Sequence, residues 1–465
     1  MIIRLSSFRF LSVGLPLALA AFVRADVTPN ALFCDHAVLQ RDTAIPVWGK
    51  ADPGEKITVR LSGKIDATAI AGPDGRWWVR LPAQPAGGPF KLVIEGRNRI
   101  ELSDVWVGEV WLCGGQSNME RELGLRRGQQ PIDNWEQEVA AADYPQIRHF
   151  AVERTPASTP LDDTGGRWDV CSPATVGQFT AVGYFFARDL HRQLRVPVGL
   201  IHSSWGGAAI ESWMSPEAFT AATGQPLPPL VWRNKHNRPS SLYQGMIAPL
   251  QPYAIRGVIW YQGESNAPRA EAYRVLFPSL IADWRKQWGQ GNFPFLFVQL
   301  APHRSLSPEI RDAQLHAWEI APNTAMIVTT DIGDAADIHP PHKAPVGARL
   351  SLAARALAYG EKIEYSGPRF SVLSIEGSRA VLRFDHPGGG LVAKDGPLRG
   401  FTISGDGNEF VPAKAVIVGD TVVASAGTVV NPVAVRYGWA NVPDGNLFNA
   451  AGLPASPFRA GTGAK

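Results

Sequence analysis

The length of 465 residues is enough for several domains, and a composition of 45% hydrophobic and 19% charged residues excludes a wholly disordered chain. The 45 Lys and Arg residues nearly balance the 42 Asp and Glu residues, and no stretch is strongly basic. This balance excludes the charge pattern typical of nucleic-acid-binding proteins.

The first 25 residues have the pattern of a secretory signal peptide. Arg4 and Arg9 precede an apolar stretch over 11–23, and Ala25 stands where signal peptidase would cleave. The apolar stretch is short and is interrupted by Pro16, which disfavours a membrane anchor. We therefore expect a secreted or periplasmic protein whose mature form has no membrane-spanning segment.

The rest of the chain divides into three regions. Residues 26–104 predict a small β-sandwich, because short apolar runs such as 45–48 and 57–61 are separated by turns that contain Pro and Gly. From 105 to 360, apolar strands alternate with helices, which predicts an α/β domain with a parallel sheet and helices on both faces. Residues 361–465 return to short β runs and predict a C-terminal β-rich region.

The cysteine and histidine content argues against a metal or a disulfide framework. Cys34, Cys113 and Cys171 permit at most one disulfide, and the sequence does not determine the pair. No CxxC, HExxH or Cys/His cluster occurs, so we expect no structural or catalytic metal.

Polar or glycine-rich loops follow four predicted strands of the α/β region. In an open α/β sheet, ligands bind outside the carboxyl ends of the strands. These loops are therefore the places to look for chemistry. The strands that precede them are 110–113, 198–202, 257–261 and 326–330.

The first loop contains a candidate nucleophile, Ser117. Gly114 and Gly115 let the backbone turn sharply before it and leave its hydroxyl accessible. The sequence is not the GxSxG elbow of α/β-hydrolases, because Gln116 precedes the serine and Asn118 follows it. The alternative interpretation is a serine that only caps a helix.

The second and third loops contain candidate oxyanion donors. A backbone amide at Gly206 or Gly207 meets no side chain that would block a substrate, and Gln262 has an uncharged amide at a strand end. Glu264, on the same loop as Gln262, either takes part in catalysis or binds loop amides. We favour the second role.

The fourth loop, 331–343, contains three Asp and two His residues. Such a density of ionisable groups is uncommon outside a site. His339 is a candidate general base for Ser117, because the ordinary pKa of histidine lies near the working pH of most enzymes.

Four motifs in this order resemble the sialate O-acetylesterase family, a branch of the SGNH hydrolases. The motifs are Gly115-Gln116-Ser117-Asn118-Met119, Trp205-Gly206-Gly207 with Glu211, Gln262-Gly263-Glu264-Ser265 and Ile338-His339-Pro340. Residues 38–42 and 437–459 also look like this family, so the resemblance covers nearly the whole mature chain.

The resemblance implies a flavodoxin-like SGNH core and a serine esterase that forms an acetyl-enzyme without a cofactor. Ser117 would be the nucleophile and His339 the base. The oxyanion would be held by the Ser117 amide, an amide at Gly206 or Gly207, and the Gln262 side chain. Other residues near the substrate would be Gln116, Glu211 and Glu264. The expected substrate is an O-acetylated sugar or glycan.

The acidic member of a catalytic triad is not determined by the sequence. The wider superfamily has an Asp three residues before its histidine, and that position is Ala336 here. Asp337 lies two residues before His339. Both a triad with Asp337 and a Ser-His dyad oriented by a carbonyl or another Asp stay open, and the spacing favours the dyad.

Three functions remain as hypotheses. The first is removal of O-acetyl groups from sialic acid, which rests on the resemblance. The second is deacetylation of a plant polysaccharide such as xylan, which needs much the same catalytic groups. The third is a carbohydrate-binding protein with an inert core, which the four intact motifs disfavour.

Overall fold

The computed structural model describes residues 26–229 and 235–461. The predicted signal peptide, residues 1–25, lies outside the described residues. Among those described, no helix is long and apolar enough to cross a membrane. Cys34, Cys113 and Cys171 are all free thiols, so no disulfide joins them.

The N-terminal region consists of short strands in two layers. One sheet has the strand order β1-β3-β6, and the other pairs β5 with β4, β4 with β7, and β7 with β8. Apolar side chains that alternate along β4 and β6 are buried between them. The strands are β1 (Thr28–Pro29), β2 (Val38–Gln40), β3 (Ile45–Lys50), β4 (Lys56–Leu61), β5 (Ile65–Ile70), β6 (Arg76–Leu81), β7 (Gly87–Glu95) and β8 (Arg99–Gly115).

Strand β8 belongs to both the N-terminal and the central region. Its first half pairs with β7, and its second half, from Glu109 to Gly115, lies in the central sheet. The predicted boundary at 104/105 therefore falls inside a continuous strand. Strand β8 therefore passes without a break from the β-sandwich into the central sheet.

The central sheet runs in the order β10-β9-β11-β8-β12-β13-β14. All neighbours in it are parallel except β10, which is antiparallel to β9. The predicted α/β class is confirmed, although the sheet is mixed because it also includes β10 and the N-terminal strands. The added strands are β9 (Tyr144–Ala151), β10 (Trp168–Cys171), β11 (Val198–Ser204), β12 (Gly257–Tyr261), β13 (Phe295–Val298) and β14 (Thr324–Ile327).

Helices cover both faces of this sheet. Trp111 of β8 contacts Phe186 on one side, whereas a side chain at Gly114 would meet Trp284 on the other. Residues three apart on a strand point to opposite faces, so the helices of these two residues lie on opposite sides. The helices are α1 (Ser117–Glu120), α2 (Trp135–Ala140), α3 (Ala181–Leu194), α4 (Pro216–Thr223), α5 (Ala270–Trp288), α6 (Pro308–Ile320) and α7 (Lys343–Tyr359).

The C-terminal region is β-rich, as predicted. Its sheets have the orders β15-β16-β21-β20, β17-β23 and β19-β18-β22-β24. Buried Arg311 and Gln299 attach it to the core, since they donate to the Asn441 carbonyl and the Ser456 hydroxyl. The strands are β15 (Arg369–Glu376), β16 (Arg379–Asp385), β17 (Leu391–Ala393), β18 (Phe401–Ser404), β19 (Val411–Pro412), β20 (Lys414–Val418), β21 (Thr421–Ser425), β22 (Ala434–Tyr437), β23 (Leu447–Asn449) and β24 (Phe458–Gly461).

Candidate active site

Ser117 lies at the turn from β8 into α1. Gly115 has φ +139, and a Cβ there would lie 2.1 Å from the Tyr261 carbonyl oxygen, so only glycine fits beside β12. The residue at the N-cap of α1 is Gln116, and the Ser117 hydroxyl makes no hydrogen bond within 26–229 and 235–461. The alternative of a capping serine is therefore not realised, and the hydroxyl is available for chemistry.

Asn118 joins three of the four predicted loops. Its Nδ2 donates to Glu264 Oε1 at 2.6 Å and to the Ile338 carbonyl at 2.9 Å. Its Oδ1 accepts from the buried Lys343 Nζ at 2.6 Å. The second of these bonds holds the residue before His339 against the residue after Ser117. No local sequence pattern indicated that Asn118 pairs with Lys343, because more than 200 residues separate them.

His339 and Asp337 face each other on the last loop. Asp337 Oδ1 accepts from the His339 backbone amide at 2.8 Å and lies 3.7 Å from the ring nitrogen Nδ1. In the described part of the chain, no carbonyl accepts a hydrogen bond from the His339 ring. Asp337 is thus the acid nearest to Nδ1, at an ion-pair distance slightly longer than a hydrogen bond.

Burial and nearby cations favour the neutral form of His339. Partial burial lowers the pKa of its imidazole from the ordinary 6.5, and the positive charge of Lys343 lowers it further. Lys343 is itself affected, since burial lowers the pKa of its ammonium group to about 7. A neutral imidazole can accept a proton, as a general base must.

The lowered pKa predicts how activity depends on pH. The base must be neutral, so activity falls only when the pH drops through the pKa of His339. We expect the acid limb of kcat/KM to have its midpoint below pH 6.5. Lys343→Met should raise the pKa of His339 and move that limb upward. The profile is measured on an uncharged chromogenic acetate, and a wild-type midpoint above 6.5 would contradict the assignment.

The predicted oxyanion donors have different surroundings. Within the described residues, the backbone amides of Ser117 and Gly207 have no acceptor, whereas the Gly206 amide donates to Glu120 Oε2. A Cβ on Gly206 would lie 3.5 Å from that of Ser117, so this loop borders the nucleophile. Gln262 is 0% exposed, and its Nε2 donates to the Ala208 carbonyl and to Asn266 Oδ1. Both of its amide hydrogens are therefore used inside the protein.

The three predicted substrate-binding residues hold the loops together in this structure. Gln116 Oε1 accepts from the backbone amides of Gly263 and Ser265. Glu211 is buried and accepts from Asn266 Nδ2 at 2.9 Å and from Arg269 at 2.6 Å. Burial raises the pKa of the Glu264 carboxyl, which accepts from Asn118.

A charged cluster that the sequence did not indicate lies beside Ser117. Glu120, one turn along α1, is buried, and its Oε1 accepts from Arg126 at 2.6 Å and pairs with Arg154 at 3.1 Å. Both guanidinium groups remain partly exposed. The rings of Trp205 and His236 are stacked, with centroids 5.1 Å apart. Trp205 directly precedes Gly206, whose amide binds Glu120, and the Glu120 carboxylate is close enough to act on the charge of His236. Two cations share one carboxylate, so this cluster of three side chains has one net positive charge.

Among residues 26–229 and 235–461, no three His, Cys, Asp or Glu residues are grouped so as to hold a metal ion. The residues assembled here are instead an accessible hydroxyl, an imidazole with a facing carboxylate, and unpaired backbone amides. This set of groups is suited to acyl transfer.

Comparison with known proteins decides the family. Residues 107–357, more than half of the chain, match the family model described as carbohydrate esterase, sialic acid-specific acetylesterase. The chain belongs to this family. The resemblance seen in the four motifs is thus confirmed, and all four lie within the matched residues.

Other members of the carbohydrate esterase family match over nearly the whole chain. Sialate O-acetylesterases of Pongo abelii and Homo sapiens are 32% and 31% identical to it, with 96% of this chain and 93% of each relative covered. The crystal structure of a carbohydrate acetylesterase from Xanthomonas citri superposes with a TM-score of 0.87 at 44% identity, and the match covers 94% of this chain and 100% of that one.

Proposed function

We propose that this chain is a serine esterase that removes O-acetyl groups from sugars. The observation that carries the proposal is the bond from Asn118 to the Ile338 carbonyl, which holds the residue before His339 to the residue after Ser117. Membership of the carbohydrate esterase family supports the substrate class.

The core would be a flavodoxin-like SGNH fold. Taken in chain order, β8, β11, β12, β13 and β14 have the spatial order 2-1-3-4-5. In this arrangement, ligands bind where the first strand lies beside the third, at their carboxyl ends. Here those ends are Gly115 of β8 and Tyr261 of β12, and Ser117 follows directly.

The reaction would proceed in two halves. His339 takes the proton of Ser117 as the serine oxygen bonds to the acetyl carbon, and the carbonyl oxygen becomes an oxyanion. The amides of Ser117 and Gly207 donate to this oxyanion. His339 then gives its proton to the departing sugar oxygen. Water, deprotonated by His339, attacks the acetyl carbon. The bond from that carbon to the Ser117 oxygen then breaks, His339 returns the proton to this oxygen, and acetate leaves.

Asp337 would orient the imidazole and stabilise its cationic form. Its position 3.7 Å from Nδ1 supports a triad over the dyad that the spacing favours. The role of Gln262 would be to support the floor of the site through Ala208 and Asn266, because its amide has no hydrogen left for the oxyanion.

The acetylated sugar would be acidic. Arg126 and Arg154 are 34% and 45% exposed and share only the Glu120 carboxylate, so positive charge is left for a substrate carboxylate. Relatives named sialate O-acetylesterase also favour an O-acetylated sialic acid. Acetylated xylan, which has no carboxylate on its acetylated sugars, is the second candidate.

An acetate-release assay tests this function. We expect acetate from 9-O-acetyl sialic acid at a higher kcat/KM than from its methyl ester, which lacks the charge but keeps the acetyl group. Release of acetate from acetylated xylan, and from neither sialic acid derivative, would indicate that acetylated xylan is the substrate. Absence of acetate from any of these, and from a chromogenic acetate, would favour the carbohydrate-binding hypothesis.

The protein would act outside the cytoplasm. The signal-like sequence over 1–25 motivates this proposal. We expect the exported protein to begin near Asp26, which N-terminal sequencing measures. Recovery of exported protein that still begins with Met1 would contradict it.

A further inference from the structure

A cleft of about 810 Å³ lies between the N-terminal β region and the central domain. One wall is the outer face of the sheet β1-β3-β6, and the other comes from Leu161, Asp162, Tyr243 and Gln251 of the central region. Clefts of this size at domain interfaces commonly bind small ligands. None of the catalytic groups described above lines it.

The sheet wall presents two indole rings side by side. Trp48 of β3 and Trp78 of β6 are directly opposed in the antiparallel pairing, so their side chains lie on the same face. Trp78 is 57% exposed, although the Arg80 guanidinium lies 5.2 Å from its ring centroid. An indole left this exposed offers a flat apolar surface, which suits the apolar face of a sugar ring.

Polar groups surround these rings. Lys50 pairs with Asp162 at 2.8 Å, and Arg76, opposite Lys50 on the sheet, also binds Asp162. One residue that lines the cleft has a buried N–H with no acceptor in the described structure, namely Nε2 of Gln251. Unpaired buried donors are costly, and a ligand hydroxyl would relieve this cost.

One segment of the chain leads from the active site to this cleft. Arg154 pairs with Glu120 beside Ser117, and Asp162, eight residues later, lines the cleft. The segment between them is held by the bond from the Leu161 amide to the Gln244 carbonyl. Eight extended residues span at most about 28 Å, a distance that an oligosaccharide of several sugars can bridge.

We propose that the cleft is a remote glycan-binding site that holds sugar rings of the oligosaccharide whose acetyl group reaches Ser117. This inference rests on the proposed esterase function. The ligand would be a chain of several sugars, with one ring stacked on Trp78 and its hydroxyls bound by the polar groups around it. The preferred substrate would then be an acetylated oligosaccharide and not a free acetylated monosaccharide.

Kinetics of Trp78→Ala test the proposal. On O-acetylated sialyllactose or partially acetylated xylo-oligosaccharides, whichever the wild type cleaves faster, KM should rise about tenfold with kcat unchanged, since one stacking contact is lost. On a small chromogenic acetate, which does not reach the cleft, kcat/KM should stay within about twofold. Ile70→Ala, at a residue 70% exposed in the same β region and outside the cleft, is the matched control.

Binding of the deacetylated product provides a second readout. Titration calorimetry of Ser117→Ala with sialyllactose and with xylohexaose should detect binding of one of them, and the added Trp78→Ala should weaken it about tenfold. Equal KM and equal binding with and without Trp78 would contradict the proposed glycan-binding role of the cleft and would leave the esterase proposal intact. Binding that depends on Trp78, in a protein that releases no acetate, would instead support the glycan-binding role of the cleft and contradict the esterase proposal.

Discussion

Ser117→Ala and His339→Ala are each expected to lower kcat by a factor on the order of 10⁵–10⁶, because the nucleophile and its base act as one unit. For the same reason, the double variant should lose no more activity than either single one. Acetate release from the preferred acetylated sugar measures all three. Activity that falls much further in the double variant would contradict a joint role.

The loss must come from chemistry and not from unfolding. Ser117 makes no side-chain hydrogen bond in the described structure, so its replacement should leave the thermal unfolding temperature unchanged. His342→Ala is the matched control for His339, since His342 lies on the same loop but pairs with Asp133. We expect nearly wild-type activity from this control, and a comparable loss there would indicate loop disturbance.

Asp337→Ala is expected to lower kcat on the order of 10⁴-fold, as loss of a triad acid does. The reason is the position of its carboxylate, 3.7 Å from His339 Nδ1, where it would stabilise the imidazolium that the proposed mechanism forms during attack. Kinetics on a chromogenic acetate measure the effect. A loss of about tenfold or less would instead support the Ser-His dyad that the sequence spacing favours.

Two further variants separate the effect of the Asp337 charge from that of the hydrogen bond that Asp337 accepts from the His339 amide. Asp337→Asn keeps an oxygen to accept from the His339 amide but removes the charge, so it should retain stability and still lose most activity. Asp334→Ala removes a loop carboxylate that accepts from the Ala336 and Asp337 amides and, in the described structure, makes no hydrogen bond or ion pair with the His339 ring. This control should cost far less activity than either change at Asp337.

The alternation of strands and helices and the two principal catalytic candidates could be predicted from local sequence. Strands such as β11 and β12 are continuous apolar runs because both of their faces are buried. Helix boundaries depend on local caps: α3 begins at Ala181, because the Thr180 hydroxyl caps it by accepting from the Gly183 amide.

By itself, the sequence determined the family, the α/β class and the segments after β8 and β14 that contain Ser117 and His339, since periodicity and short motifs are local properties. Only the tertiary structure decided that Asn118 joins Lys343 to the His339 loop and that Glu120 pairs with Arg154. Only the tertiary structure, likewise, decided that the Gln262 amide donates to groups inside the protein and that a cleft lies beside Trp78. These features depend on which residues, distant in the sequence, come within reach of a polar group. That is decided only when the whole chain is packed, because burial and competition for hydrogen bonds then determine which groups pair.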